Sequence, residues 1–312
     1  MTQVTTVSGK SVRPYAFGTM QFGGRADAQA SEALFNAALD AGITHFDTAY
    51  LYNGGESETL LGRFAGSRRE DLYIATKACY HAPATAEALR TSLAVSLERL
   101  GMDFVDLLYL HRFDPDTPLE ETLSGFAELQ SEGSIRHIGL SNFAAWQVMK
   151  AQGIARSLGT RIDAIQPMYN LVKRQAEVEI LPMAADQAIA VYSYSPLGGG
   201  LLTGKYARGE EGRITTDAHY AKRYSDEKMH QAAGRLTELA KTYDVEPATL
   251  AAAWVAHHPL RPRPILSARS VEQLRPSLAA MSFEMDATLY AELSALMPAP
   301  PPATDRLEEQ IG

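Results

Sequence analysis

Apolar positions along this chain follow two alternating rhythms. Short, mostly apolar runs are each followed by a longer segment whose apolar side chains recur at helical spacing. The runs are Pro14–Phe17, Ile43–Phe46, Leu72–Thr76, Phe104–Leu110, Ile135–Leu140, Ala164–Met168, Ile189–Tyr194 and Pro264–Ser267, and each predicts a strand. Phe104–Leu110 is nearly continuous, as expected of a strand buried on both sides. Helices are expected over Ala28–Ala41, Ser57–Phe64, Thr85–Leu100, Leu119–Gln130, Phe143–Leu158, Gln175–Gln187 (interrupted near Pro182), Ser225–Thr242, Pro247–His258 and from about Val271. In the third of these, Leu89, Leu93, Leu97 and Leu100 share a face.

Alternation of this kind implies a parallel sheet, and eight couplets imply a closed (β/α)8 TIM barrel. The runner-up is an open doubly wound sheet. It would carry a glycine-rich phosphate turn after the first strand, and Gly18-Thr19-Met20-Gln21-Phe22-Gly23-Gly24 does not fit G-x-G-x-x-G. A chain of 312 residues suits one barrel domain over residues 1–312. Three segments lie outside the repeat. Val4–Val7 and Ser11–Arg13 flank Gly9-Lys10 and predict an N-terminal β-hairpin covering one end of the fold. Thr203–Tyr224, rich in glycine and charge, predicts a long lid loop after the seventh strand. From about Met297 the sequence APAPPP predicts an extended, partly mobile tail.

Composition narrows the function classes. The chain is 46% hydrophobic and 21% charged, ordinary for a globular protein. A net charge of −8 without a basic stripe argues against nucleic acid. The single cysteine, Cys79, rules out an internal disulfide and a cysteine zinc cluster, and reads as a small buried apolar residue. His257-His258 lacks metal-binding spacing, so no metal site is expected. Without a signal peptide or a membrane-length apolar stretch, the expectation is a cytoplasmic protein off the membrane, monomer or homodimer.

In such a barrel, catalytic groups come from the C-terminal ends of the strands. Those ends carry Asp47, Lys77, His111, Ser141-Asn142, Gln166, Tyr194-Ser195 and Ser267, and Tyr52 lies in the loop after the second strand. A lysine ammonium about 4 Å from a phenol favours phenolate by about 4 kcal/mol at an effective dielectric near 20. Asp47 would keep Lys77 charged, and the trio would tune Tyr52 towards general acid catalysis. His111 could orient a carbonyl oxygen. No nucleophile is present among these groups, so the attacking group is expected from a cofactor, most simply a nicotinamide.

The stretches GITHFDTAYLYNGGESETLLG, LYIATK, VDLLYLHRFD, GSIRHIGLSNF, IQPMYN, YSPLGGGLLTGKY, ATLAAAWVAHHP and ARSVEQL together resemble the aldo-keto reductase superfamily over nearly the whole chain. GTMQFGG and GGGLLTGKY…KRY look most like its aflatoxin-aldehyde reductase and potassium-channel β-subunit branches. The resemblance implies an NADP-dependent enzyme of the aldehyde reductase or alcohol dehydrogenase type acting on a small carbonyl substrate, with Asp47, Tyr52, Lys77 and His111 as the catalytic tetrad. It further implies cofactor contacts from Asp47, Ser141, Asn142, Gln166, Tyr194, Ser195, Pro196, Leu197, Gly199, Lys205, Ser267, Arg269 and Gln273, with Thr19 and Met20 on the substrate side. Phe22, Tyr80, Phe113 and Tyr169 are expected to line the substrate pocket, and Arg223 to meet an anionic aldehyde.

The sequence departs from the family pattern late in the chain. Leu266-Ser267 replaces Pro-Gly, and Pro276-Ser277 stands where a Glu-Asn pair meeting adenine is usual. Pro276 falls inside the expected helix, so a kink or a later helix start is predicted. Arg269 favours NADPH, with NADH as the alternative. Two other functions stand beside the reductase: a cofactor-binding regulatory subunit with little turnover, and a barrel hydrolase using Asp47 with a second carboxylate. Trp146 and Trp254 are expected to pack in the fold.

Overall fold

The apolar runs form eight parallel strands that close on themselves, the first hydrogen-bonded to the last. The computed structural model describes residues 4–81 and 83–306. In chain order, β1 (Ala16–Gly18) precedes α1 (Ala28–Asp40), β2 (His45–Asp47) precedes α2 (Glu56–Ala65), and β3 (Tyr73–Ala78) precedes α3 (Ala86–Leu100). Next come β4 (Val105–Leu110), α4 (Leu119–Ser131), β5 (Ile135–Ser141), α5 (Ala145–Ser157), β6 (Ala164–Gln166) and α6 (Ile180–Asp186). After β7 (Ala190–Ser193) the chain forms α7 (Arg213–Thr216), α8 (Ala218–Arg223), α9 (Glu227–Thr242) and α10 (Pro247–His257). It ends with β8 (Arg263–Leu266), α11 (Val271–Ala279) and α12 (Ala287–Ser294). Closure excludes the open doubly wound sheet and gives the (β/α)8 barrel.

Strand patterning explains two concentric cores. Along β4, Leu108 and Leu110 join the shell between strands and helices, while Leu107 and Tyr109 fill the barrel axis with Ala16, Tyr73, Ala164 and Tyr192. Both faces are therefore buried, which is why this strand reads as a continuous apolar run. Parallel register sets Gly18 beside Asp47, Asp47 beside Ala75, and Ser141 beside Gln166, so the C-terminal strand ends share one rim.

Side-chain caps fix where helices begin. Asp27 accepts from the Ala30 N–H at 2.8 Å, Thr85 from that of Ala88 at 3.1 Å, and Asp286 from that of Leu289 at 2.8 Å. The N-terminal hairpin is present as an antiparallel bridge between Thr5 and Ser11. Trp254 packs as expected, fully buried, with its indole N–H on Ser294 Oγ at 2.8 Å.

Four expectations need correction. Pro182 does not interrupt its helix: the break precedes it, between a 3-10 turn at Gln175–Glu177 and α6. In the first turn of α6 its missing N–H has no intrahelical partner to lose. Pro276 neither delays nor ends α11, which starts at Val271 after its Ser270 cap and continues to Ala279. The carbonyl that Pro276 leaves without a helical donor belongs to the exposed Glu272, where water can satisfy it. Residues 203–224 are not a structureless loop but carry a 3-10 turn at Lys205–Arg208, then α7 and α8. Trp146 is not buried in the fold: it is 63% exposed on α5, with its ring meeting the edge of Phe113 at 6.0 Å between centroids. From Pro298 to Arg306 the chain has no helix or strand, and the rest of the expected tail lies outside the described residues. No helix among the described residues is long and apolar enough to cross a membrane.

His45 sits in the barrel axis, edge-on to Tyr73 and Tyr192, with neither ring nitrogen hydrogen-bonded. Burial, helped by Arg263 and Lys77, lowers its pKa to about 3. The unfolded chain therefore takes up this proton near pH 6.5 and the folded chain does not. His45's contribution to stability is full above pH 6.5 and shrinks as pH falls towards 3. Between pH 7 and pH 5 the loss from this group is about 2 kcal/mol. His45→Leu should flatten that part of the pH dependence, read as urea midpoints for both proteins at the two pH values.

Candidate active site

β2 ends on Asp47, and the neighbouring β3 carries Lys77 on the same side of the sheet. Both side chains are almost wholly buried, and they form an ion pair. Lys77 Nζ also donates to the Thr48 carbonyl at 2.6 Å and lies 3.4 Å from the Tyr52 phenol. Gln166, at the end of β6, donates to the second Asp47 oxygen at 2.7 Å. Burying two charges is tolerable only when they are paired and hydrogen-bonded, and every group here is.

Tyr52 is held by the turn that follows it. Asn53, Gly54 and Gly55 all have left-handed backbones, with φ of 50°, 67° and 100°. A side chain on Gly55 would meet the Arg99 guanidinium at 2.4 Å. The Asn53 amide donates to the carbonyls of Met20 and Phe22 at 2.9 and 2.7 Å, tying the turn to the loop after β1. From the other side, Arg99 of α3 donates to the Tyr50 carbonyl at 2.8 Å and to the buried Glu58 at 3.1 Å. Glu58 in turn accepts from Thr76, beside Lys77, at 2.6 Å.

His111 follows β4 and packs against Tyr80 at 4.8 Å and Tyr52 at 6.1 Å between ring centroids. Asn142 donates to the His111 carbonyl at 3.0 Å and accepts from the Tyr194 phenol at 2.8 Å, so one amide spans two strand ends. Cys79, Asn142 and Ser195, just past the ends of β3, β5 and β7, each have φ of 59°. These left-handed residues turn the chain sharply outward at the rim.

Burial dominates the electrostatics. It disfavours the Lys77 ammonium, yet the Asp47 carboxylate and the Tyr52 phenol outweigh it, and the pKa of Lys77 is raised. Asp47 is raised by burial against the pull of Lys77 and Gln166. The phenol of Tyr52 is also raised: desolvation exceeds the attraction of Lys77. The sequence reading weighed the ammonium alone, and so had the opposite direction for Tyr52. His111 falls to about 3, from burial first and then the charges of Lys77 and His81, and its imidazole is neutral.

Above these groups opens a cavity of about 780 Å³, well within the range of small-molecule sites. Asp47, Tyr52, His111, Ser141, Asn142, Gln166 and Tyr194 line its floor. Ser195, Pro196, Leu197, Gly199, Lys205, Ser267, Arg269 and Gln273 line one arm, and Met20, Tyr80 and Arg223 border it too. Lys77 lies just beneath, reaching the cavity through Asp47 and Tyr52. Gln273 Oε1 accepts from the Arg269 backbone N–H at 3.4 Å.

Four expected lining residues are elsewhere. Thr19 is fully buried, its hydroxyl 2.8 Å from Ser57 Oγ and 3.2 Å from the Asp47 carbonyl. Phe22 stacks in the outer core with Phe17 and Phe64. Tyr169 is fully buried against Trp254, with its phenol on Glu177 at 2.7 Å. Phe113 packs beside the cavity on Phe143 and Trp146. Conversely, Arg25, Arg112 and Arg213 line the cavity without having been expected there. Arg213 lies in the segment the sequence marks as a lid, which was the available signal. Lys205 is lowered by burial and then by Arg269, with Arg25 and Arg213 adding and Glu210 opposing, so positive charge outweighs negative on that arm.

The sequence pattern of the Aldo/keto reductase family matches residues 15–297. The chain is 34% identical to the uncharacterized oxidoreductase YrpG of Bacillus subtilis (strain 168), over 94% of each chain. It is 36% identical to aflatoxin B1 aldehyde reductase member 2 of Rattus norvegicus, over 88% of this chain and 82% of that one. A probable voltage-gated potassium channel subunit beta of Arabidopsis thaliana is 31% identical, over 88% and 89%. With the barrel and its polar rim in place beforehand, these matches make the chain an oxidoreductase and a member of the aldo/keto reductase family.

Proposed function

We propose that this protein reduces aldehydes or ketones with NADPH, using Asp47, Tyr52, Lys77 and His111. The observation that carries this reading is the buried Lys77 ammonium, paired with Asp47 and 3.4 Å from the Tyr52 phenol on the cavity floor. When bound, the reduced nicotinamide supplies the hydride that no side chain here provides.

The residues present fit such a cofactor. Ser267 Oγ lies buried in the cavity wall without a hydrogen-bond partner. Crowded cations at Lys205, Arg269, Arg25 and Arg213 call for an anion of several charges. Gly199 and Gly200 have φ of 66° and 94°, and side chains there would strike Tyr220 and Lys205. Ser141, Asn142 and Gln166 would hold the carboxamide, Tyr194 the nicotinamide ring, and Ser195, Pro196, Leu197, Gly199 and Lys205 the pyrophosphate. Ser267, Arg269 and Gln273 would hold the phosphorylated ribose.

Each side chain then has a task. Tyr52 gives its proton to the substrate oxygen, and Lys77 steadies the phenolate left behind, offsetting the burial that holds the phenol pKa high. Asp47 keeps Lys77 in place and charged. His111, neutral, donates an N–H to the same oxygen and orients it. Met20 and Tyr80 border the substrate space, Arg223 offers a cation to an acidic substrate, and residues 203–224 act as the lid.

Tyr52→Phe should leave NADPH affinity nearly unchanged and lower turnover by about 10²–10⁴-fold, followed as NADPH oxidation with 4-nitrobenzaldehyde. No turnover in the wild type despite tight NADPH binding would favour the regulatory reading instead. Arg269→Ala should weaken NADPH by about tenfold or more and NADH far less, in parallel fluorescence titrations. Equal losses would mean that Arg269 does not read the extra phosphate. Because His111 titrates near pH 3, kcat/KM should show no inflection near pH 6.5. Such an inflection, abolished in His111→Asn, would contradict a neutral His111.

A further inference from the structure

The end of the barrel opposite the mouth holds a second cavity, of about 130 Å³, between the N-terminal hairpin and the first residues of several strands. Three guanidinium groups line it, those of Arg136, Arg161 and Arg263, against one carboxylate, Asp163. Arg136 is answered by Asp106 at 2.6 Å and by the Thr5 carbonyl at 3.2 Å. Arg161 donates to the carbonyls of Gln187 and Ala188 at 3.3 and 2.8 Å but reaches Asp163 only at 3.5 Å, and its shielded Nε makes no hydrogen bond.

Arg263 differs from both. It is 9% exposed, and among the described residues no carboxylate pairs with it. Its guanidinium donates to the Tyr192 phenol at 2.7 Å and lies over that ring at 5.3 Å. His45, on the far side of Tyr192, is neutral and adds no counter-charge. A buried guanidinium without an anion is costly, and folded proteins nearly always supply one.

The supply here is external. We propose that this cavity binds one small tetrahedral oxyanion, of the phosphate or sulfate kind, gripped by Arg263 and Arg161. The guanidinium fork matches two oxygens of such an ion, which an ammonium cannot do. A space of about 130 Å³ admits an inorganic ion and excludes a nucleotide, unlike the cavity of about 780 Å³ at the mouth. Val4 and Thr5 of the hairpin line the same space, so the bound ion ties the first described residues to the barrel floor. An ion that binds only the folded state raises stability with its concentration.

The test is thermal unfolding of the full chain at constant ionic strength, with chloride replaced stepwise by phosphate or by sulfate. Wild type should show a saturable rise in Tm with either oxyanion. Arg269→Ala, which weakens the anion arm at the mouth, should still show a saturable rise. Arg263→Met should need about tenfold more phosphate for an equal shift. If that variant does not fold, Arg263→Lys, which keeps the charge without the fork, should show the same weakening. An unchanged response in the Arg263 variant, loss of the response in Arg269→Ala, or no rise beyond chloride in wild type overturns the proposal.

Discussion

A lysine ammonium with almost no access to water is the constraint on which the mouth of this barrel depends. Three N–H donors need three acceptors, and the chain provides the Asp47 carboxylate, the Thr48 carbonyl and the Tyr52 phenol. The first ends the strand beside Lys77, the second follows it directly, and the third comes from the turn beyond. Losing any one leaves buried charge short of a partner, which costs far more than a surface bond. The demand spreads outward. Gln166 fills the second oxygen of Asp47, and the Arg99–Glu58 clasp holds the loop that delivers Tyr52. Folding and the proposed chemistry therefore impose the same geometry on the second and third strands.

The barrel was legible because its signal is repeated. Each strand–helix couplet alone is ambiguous, but β4 could be placed by its unbroken apolar run and α3 by its leucine face. The polar rim was legible for a related reason: strand ends are fixed points, and residues such as Asp47, Lys77 and Gln166 can be located from them. Aromatic residues in the loops were not. Phe22 and Tyr169 follow strands closely, like Tyr80, yet both turn into the outer core while Tyr80 borders the cavity. Loops have no period, so sequence does not say which way a ring points. Tyr52 shows a second blind spot: a neighbouring charge can be guessed from spacing, but the depth of burial that opposes it cannot. Pro276 shows a third, because a proline is tolerated where the carbonyl it strands faces water.

Charge is distributed unevenly for a chain with a net charge of −8. Basic side chains concentrate along one arm of the mouth and again beneath the barrel floor, outnumbering the acids beside them there. Net charge is a poor guide to such a molecule. Cations crowd both Lys205 and Arg263, although Glu210 opposes them at the first and Asp163 lines the cavity of the second.

The left-handed residues at the rim have a wider meaning. Cys79, Asn142 and Ser195 stand after alternate strands, and each accepts a backbone conformation that side chains other than glycine usually avoid. By turning there, the chain leaves the axis instead of running on over it. Main-chain handedness at these few positions therefore shares in shaping the aperture with the side chains between Thr203 and Arg223 that line it.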